Sequence, residues 1–316
     1  MSASFASNYG SGSRGKLLPA TTFRAVNDHT LSQLALDLYM AVLSGYSEDV
    51  RNILISHPDV DVNISVKGAT VLSLSLYKRH FHIFSLLMKH HERGRKFDLN
   101  KSSEDNLKRI EPPIITASRM HFFEGVVSLV NAGADIDVAD NLGRTALWFA
   151  CRHQMQDLVE YLILKGASVN KPDHYHNTPL ITAFLYRVSS IIIKTLILHG
   201  SILDGPSCKY QVHTQHSPLF WALKYSNIEI TKLILHAGIP VSDIRCVKRT
   251  YATSNEVDST LLQYLEEKSK SPMNLKQMCR MEVRRYFSIQ FLGKNFVQNI
   301  NALPLPPILK QYLLLK

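Results

Sequence analysis

Apolar residues along most of this chain fall in short stripes separated by polar or turn-forming positions, and the stripes come in pairs. In the stretch GRTALWFACRHQMQDLVEYLILKGASVN (143–170), Leu158 and Val159 are followed four residues later by Leu162 and Ile163. That i, i+4 spacing predicts a short helix with one buried face. A first, shorter helix precedes it, and Gly166 closes the second in a left-handed cap. The same grammar recurs in 176–204, in 112–137 and in 217–242, with looser copies at 68–100 and 38–63. An amphipathic helix carrying Leu31, Leu34, Ala35, Leu38 and Val42 enters the first copy, with its cap near Asp28 or Thr30.

The copies keep a period. A small residue in the first helix recurs as Ala117, Ala150 and Ala183, and the closing glycine as Gly133, Gly166 and Gly200. These steps of about 33 residues are the ankyrin period. With Thr178-Pro179-Leu180 and the Gly166-Ala167-Ser168-Val169-Asn170 ending, the chain resembles the ankyrin-repeat family over roughly 31–242. Elementary chemistry agrees. Thr178 can cap a helix, Pro179 fits its first turn, and neither helix of a pair can bury its stripe without a neighbouring repeat. The His that usually follows Thr-Pro-Leu is replaced by Trp148, Ile181 and Phe220. Extra residues at 93–109 and 205–215 fall at hairpin tips.

After Asp243 the period ends. A short helix around 261–267 leads into Lys268-Ser269-Lys270-Ser271-Pro272, a breaker-containing joint. Beyond it, Leu275, Cys279 and Val283 share one helical face, joined by Met278, with Arg280, Arg284 and Arg285 around the rest. A segment of about 45 residues is too small to build a stable core alone.

This ending resembles a SOCS box. Leu275-x-x-x-Cys279-x-x-x-Val283 fits the first half of that motif, Leu303-Pro304-Leu305-Pro306 the second, and Leu309-Lys310-Gln311-Tyr312-Leu313 the closing helix. Asn274 stands where the motif prefers Ser, Thr, Ala or Pro. The whole is similar to the ankyrin-repeat and SOCS-box family. That resemblance implies an all-α fold, an ankyrin solenoid followed by a small three-helix box. The implied divisions are a flexible segment over 1–28, repeats over 29–242, a connecting helix and linker over 243–271, and the box over 272–316.

The resemblance also implies a substrate receptor of a cullin-RING ubiquitin ligase, non-catalytic itself. Leu275, Met278, Cys279 and Val283 would bind elongin C of an elongin B/C pair. Leu303, Pro304, Leu305 and Pro306 would select cullin-5 with its RING protein. Ile308, Leu309, Tyr312 and Leu313 would fold back over the box's own core. The repeats would hold a protein substrate of unknown identity. Ankyrin grooves suggest Asp140, Asn141, His174, Tyr175, Lys209 and Tyr210 at hairpin tips, with Trp148 and Trp221 either exposed in the groove or filling the space of the missing His. A different reading keeps an ankyrin scaffold whose Pro304-x-x-Pro307 serves an SH3 domain. There the basic residue comes one place late, at Lys310.

Composition narrows the chemistry without choosing a partner. The 316 residues are 45% hydrophobic and 20% charged, with a formal net charge of +10. Residues 1–16 are mostly Ser, Gly and Asn, with no hydrophobic signal region after them, and no apolar run nears the roughly 20 residues that span a bilayer. A soluble cytoplasmic or nuclear protein is expected, with no membrane insertion. Cys151, Cys208, Cys246 and Cys279 show no paired spacing, so neither a disulfide framework nor a zinc site is expected. His90-His91 and His174-Tyr175-His176 read as solvated loop histidines rather than metal ligands. No phosphate-binding loop, nucleophile elbow or carboxylate pair occurs, and no cofactor is implied. The basic residues of 268–294 read as a solvated or elongin-facing rim. Tyr286, Phe287, Phe291 and Phe296 sit at core-like spacing, so nucleic acid is not expected.

Overall fold

The computed structural model describes residues 33–94, 97–104, 108–204, 217–252, 259–271 and 273–315. Fourteen helices form seven antiparallel pairs. These are α1 (Gln33–Ser44) with α2 (Ser47–Ser56), α3 (Val71–Tyr77) with α4 (Phe81–Glu92), and α5 (Pro113–Arg119) with α6 (Phe123–Asn131). Next come α7 (Ala146–Arg152) with α8 (Gln156–Leu164), and α9 (Pro179–Leu185) with α10 (Ser190–Leu198). The series closes with α11 (Pro218–Lys224) and α12 (Ile228–Ala237), then α13 (Val241–Ala252) and α14 (Ser259–Lys270). First helices pack on first helices from α1 through α13, and second helices on second helices from α2 to α6 and from α8 to α12, with the Phe123 and Tyr161 rings joining α6 to α8, so the pairs stack in chain order. Two short antiparallel hairpins, β1 (Ser65–Val66) with β2 (Ala69–Thr70) and β3 (Ser103–Glu104) with β4 (Ile110–Glu111), project from the stack.

Local chemistry explains several of the helix starts. Thr145 and Thr178 accept hydrogen bonds from the amides of Trp148 (3.2 Å) and Ile181 (3.4 Å), satisfying donors that a helix N-terminus otherwise leaves free. Pro113, Pro179 and Pro218 occupy first turns. Ala117, Ala150, Ala183 and Ala222 are fully buried where the helices approach each other. One hydrophobic core runs without a break from Ala35 to Leu265.

The stack extends past the six repeats read from the sequence. In place of a single connecting helix, α13 packs on α11 and α14 on α13, continuing the pairing with a seventh unit. Ile244, Val247, Leu261 and Leu265 are buried in it, closing an end that would otherwise expose apolar residues of α11. The insertion at 93–109 contributes β3, where Ser103 is buried and bonds Thr70 of the previous hairpin (3.0 Å). The insertion at 205–215, the segment 1–28 and the helix cap near Asp28 or Thr30 lie outside the described residues. Cys246 is disulfide-bonded, whereas Cys151 is free and buried and Cys279 free and exposed.

Three helices follow, α15 (Leu275–Gln290), α16 (Phe296–Ala302) and α17 (Pro307–Leu313). Asn274 caps α15 through a reciprocal pair: its side chain accepts from Gln277 N (2.8 Å) while its own N–H donates to Gln277 Oε1 (3.1 Å). Phe296, Ile300, Leu313 and Leu314 form a small core, with Val283, Phe287, Val297, Leu303 and Leu305 packed against it.

Candidate functional site

The C-terminal helices present two opposite surfaces, one turned into the repeats and one turned out. The inward face of α15 is basic. Arg280 and Arg284 are buried, contrary to the expectation of a solvated rim. Arg280 donates to His236 O (2.6 Å) in the last turn of α12, and its guanidinium lies 3.4 Å from the centroid of the Tyr312 ring. Arg284 donates to Ile197 O (2.6 Å) in the last turn of α10 and to Leu313 O (2.8 Å) at the end of α17, above the Phe296 ring (4.8 Å). A helix C-terminus carries partial negative charge and free carbonyls, so it can hold a cation without a carboxylate. Burial, and then the neighbouring Arg280, lower the Arg284 pKa to about 10, so the guanidinium remains charged at neutral pH.

The docking continues along the stack. Arg285 pairs with Asp204 (3.1 Å), whose carboxyl is pushed up by burial despite that partner, with Asp243 and Glu282 adding to the rise. The Asn170 side chain donates to Gly200 O (2.9 Å) and Ser288 O (3.2 Å), and its backbone N–H donates to Leu292 O (3.0 Å). Lys294 reaches Asp137 (2.5 Å). The glycines that end the repeats serve this contact. Gly200 has φ +88°, and a Cβ there would lie 2.2 Å from the Phe296 ring; at Gly238, φ +96°, it would lie 2.9 Å from the Met281 side chain. Only glycine satisfies both the left-handed turn and the close approach. The row of closing glycines is legible in the sequence, but their second use against the C-terminal helices is not.

The outward face of α15 carries an apolar stripe. Leu275 is 75% exposed and Met278 is 47% exposed, beside an exposed Cys279. Val283 departs from them by turning partly into the small core. Tyr286 and Ile289 lengthen the exposed stripe, and Phe291 is also exposed, so of the four aromatics expected at core spacing only Phe296 and Phe287 pack inward. In the tail, Leu303 and Leu305 pack on the small core while Pro304 and Pro306 are exposed. Leu303 and Pro306 both have extended backbone, at ψ 142° and 147°. Ile308 and Leu309 face outward instead of covering the core; Leu313 and Leu314 do that. The small core thus takes the last turn of α17 rather than its first.

A second surface lies on the first helices of the repeats. Asp140 accepts from Leu142 N (2.9 Å) and Arg144 N (2.8 Å) and holds the Arg144 side chain (2.6 Å), while His174 N bonds Leu142 O (2.9 Å). Beside these bonds lies a cleft of about 160 Å³ that Leu142, Arg144 and Tyr175 line; Asp140, Asn141 and His174 are not part of its lining. Its lining includes Trp148, Arg152, Tyr175, Thr182 and Tyr186. Trp148 is buried and Trp221 partly buried, so both fill space, but each also abuts this surface. Lys209 and Tyr210 lie outside the described residues. His90 is buried on α4 and His91 accepts from Phe97 N (3.0 Å), so neither is a loop histidine, whereas His174 and His176 are exposed. Among the described residues no cluster of His, Cys, Asp or Glu could hold a metal. Burial pushes the Cys151 thiol well up, which leaves it an inert packing group.

Comparison with known families fits this geometry. A SOCS box model matches residues 271–314, and an ankyrin-repeat model of three copies matches 98–173 and 114–204. Both parts of an ankyrin-repeat and SOCS-box protein, the repeats and the box, are therefore present. Curated relatives match part of the chain. A fowlpox virus protein named putative ankyrin repeat protein FPV031 is 28% identical over 157 residues, covering 49% of this chain and 45% of that protein. Human neurogenic locus notch homolog protein 1 is 25% identical over 146 residues, 46% of this chain and 5% of that protein. A zebrafish (Danio rerio) putative palmitoyltransferase, ZDHHC13, is 28% identical over 129 residues, 41% and 19%. The match spans less than half the length of each of these relatives. The SOCS box of this ankyrin-repeat and SOCS-box protein is the docked three-helix unit α15–α17, and no helix among the described residues is long and apolar enough to cross a membrane.

Proposed function

We propose that this protein is a non-catalytic substrate receptor of a cullin-RING ubiquitin ligase. Its SOCS box would recruit elongin B/C and cullin-5 with a RING protein, and its repeats would hold a protein substrate. The observation that carries the reading is the exposed stripe of Leu275, Met278 and Cys279 on a helix whose other face is fixed to the repeats. A large, solvated leucine on a rigid helix costs solubility unless a partner covers it, and a groove on another protein would take it as an anchor. Val283 supports the stripe from beneath. Leu303, Pro304, Leu305 and Pro306 form a proline-stiffened bend, closed by a hydrogen bond from Leu305 N to Leu303 O (2.8 Å), which would present the chain to cullin-5. Packing of Leu303 and Leu305 on the box core argues against an SH3 ligand there, because such a ligand must lie free on its partner.

The receptor would act by effective concentration, holding a substrate lysine near a charged ubiquitin-conjugating enzyme. Substrate ubiquitination and proteasomal degradation, in the cytoplasm or nucleus, would follow. The test is co-purification with elongin B/C and cullin-5, for the wild type and for Leu275→Asp/Cys279→Asp. Capture by the wild type and its loss in the double variant are expected. A wild type that captures no elongin B/C sinks the proposal. Replacing residues 303–306 with alanine should remove cullin-5 and leave elongin B/C bound.

A further inference from the structure

Three cations on successive repeats share one arrangement. Arg152, at the end of α7, lies 5.5 Å from the centroid of the Trp148 ring and 4.9 Å from that of Tyr186 on the next repeat. Arg187, just past α9, lies 4.9 Å over Tyr225 of the repeat after it. Lys224, at the end of α11, lies 4.9 Å over Trp221, which stacks on Tyr225 (5.8 Å). Other cations have carboxylates at hand: Arg119 has Glu111, Arg144 has Asp140 and Lys194 has Glu229. Arg152, Arg187 and Lys224 have none among the described residues. The negative end of a helix attracts one cation, but it does not bring an aromatic ring from the following repeat beneath it, as happens at Arg152 and Arg187; Lys224 uses Trp221 of its own helix.

The same surface contains polar groups without partners. Trp148 Nε1, Thr182 Oγ1 and Trp221 Nε1 are buried without a hydrogen bond, and Trp148 and Thr182 line the cleft beside Arg152. Native proteins rarely leave buried donors unsatisfied, and such groups gather where a ligand completes them.

We propose that this row is a docking surface for an extended acidic segment of a protein partner, with carboxylates about three residues apart. The inference rests on the receptor reading and gives the chemistry of the substrate that reading requires. A cation held flat on a ring keeps its N–H edges free and its rotamer fixed, so little entropy is lost when a carboxylate arrives. The spacing follows from geometry: packed helices lie about 8–10 Å apart, and a chain in the extended polyproline II conformation advances about 3.1 Å per residue with three residues per turn, so every third side chain points the same way. One carboxylate every third residue therefore meets one cation per repeat. Bases of a nucleic acid would need free ring faces, whereas these rings are covered by their own cations or by one another.

The test uses the full chain with elongin B/C and a fluorescein-labelled peptide bearing Glu at every third position, followed by anisotropy at about 0.15 M salt. A peptide with Gln at those positions and a single-stranded oligonucleotide are the comparisons. The Glu peptide should bind and the Gln peptide should not. Arg152→Ala/Arg187→Ala/Lys224→Ala should weaken binding about 10- to 100-fold, as three partly exposed ion pairs would. Arg187→Glu, a single change at an exposed position, should weaken it while leaving elongin B/C capture intact. Equal binding of the two peptides, or unchanged affinity in the triple variant, overturns the proposal. An oligonucleotide that binds tighter than the Glu peptide and is lost in the triple variant also overturns it. Failure of elongin B/C capture by the wild type would sink the receptor reading alone, since peptide binding is measured separately.

Discussion

Arg284 should hold the SOCS box to the repeats, and its replacement offers the sharpest check on the docking. The side chain makes two charge-assisted hydrogen bonds, to Ile197 O and Leu313 O, and covers the Phe296 ring. Each such bond contributes about 1.5–3 kcal/mol net. Against them stands the desolvation of a buried guanidinium, several kcal/mol in its own right. The helix ends that receive the charge offset much of that penalty, so Arg284→Ala should cost about 2–4 kcal/mol. That is a factor of about 30 to 1000 in the docking equilibrium.

Hydrogen exchange reads this directly. Amides of α15–α17 and of the last turn of α10 should lose protection by that factor in the alanine variant, with α3 to α7 unchanged. Arg285→Ala is the control, because its pair with Asp204 is half exposed and should contribute under about 1 kcal/mol. Arg284→Met separates charge from packing. A buried ion that merely tolerates its site would be replaced by methionine without loss. If the Met variant is as protected as the wild type, the capping argument is wrong.

Three other outcomes are expected. Leu275→Ala should weaken elongin B/C binding by about 2–3 kcal/mol in a calorimetric titration, as for a hot-spot anchor, without changing the melting temperature, because the residue is exposed in the isolated protein. Gly200→Ala should destabilise more than Gly133→Ala in urea unfolding: both strain a left-handed turn by about 1 kcal/mol, but only the first drives a Cβ into Phe296, adding about 1–3 kcal/mol. The pKa of His153 is lowered, first by burial and then by His121, Arg152 and Arg119. Its stabilising contribution is thus complete above the ordinary histidine value of 6.5 and is lost as pH falls below it, so the melting temperature should drop from pH 7.5 to 5.5 by less in His153→Gln.

The repeats were legible because their signal is redundant. Alanine and glycine recur at a fixed step, and each helix pair restates the same apolar stripe. The seventh pair was not, because α13 lacks the Thr-Pro-Leu start and a closing glycine, leaving Ile244 and Val247 too sparse to fix a period. The box was legible as a motif and misread as a surface. Arginines flanking an apolar stripe normally face water, and nothing local to Arg280 or Arg284 announces that carbonyls of α12 and α10 will receive them. Those carbonyls lie 44 and 87 residues away in the chain. Ile308 and Leu309 were misplaced for a related reason: composition says that they are apolar, but only the start of α17 at Pro307 decides which way its first turn points.

The use of both faces of α15 has a mechanical consequence. A linker that merely tethered the box would let a bound ligase sample many orientations, and effective concentration at a substrate lysine would fall with that freedom. Here the joint at residues 268–273 is bypassed. Arg280, Arg284 and the Asn170–Ser288 contact tie α15 to the ends of α12 and α10 and to the loop after α8. The outward stripe is thereby held in a fixed relation to the row of Arg152, Arg187 and Lys224 at the ends of the first helices. If the proposed receptor role holds, a protein built this way would select substrates twice, by what fits the groove and by which lysine lies within reach once the angle is set. Loosening the Arg284 contact should therefore broaden the set of lysines modified on a bound substrate before it weakens substrate binding, because the groove residues do not touch α15.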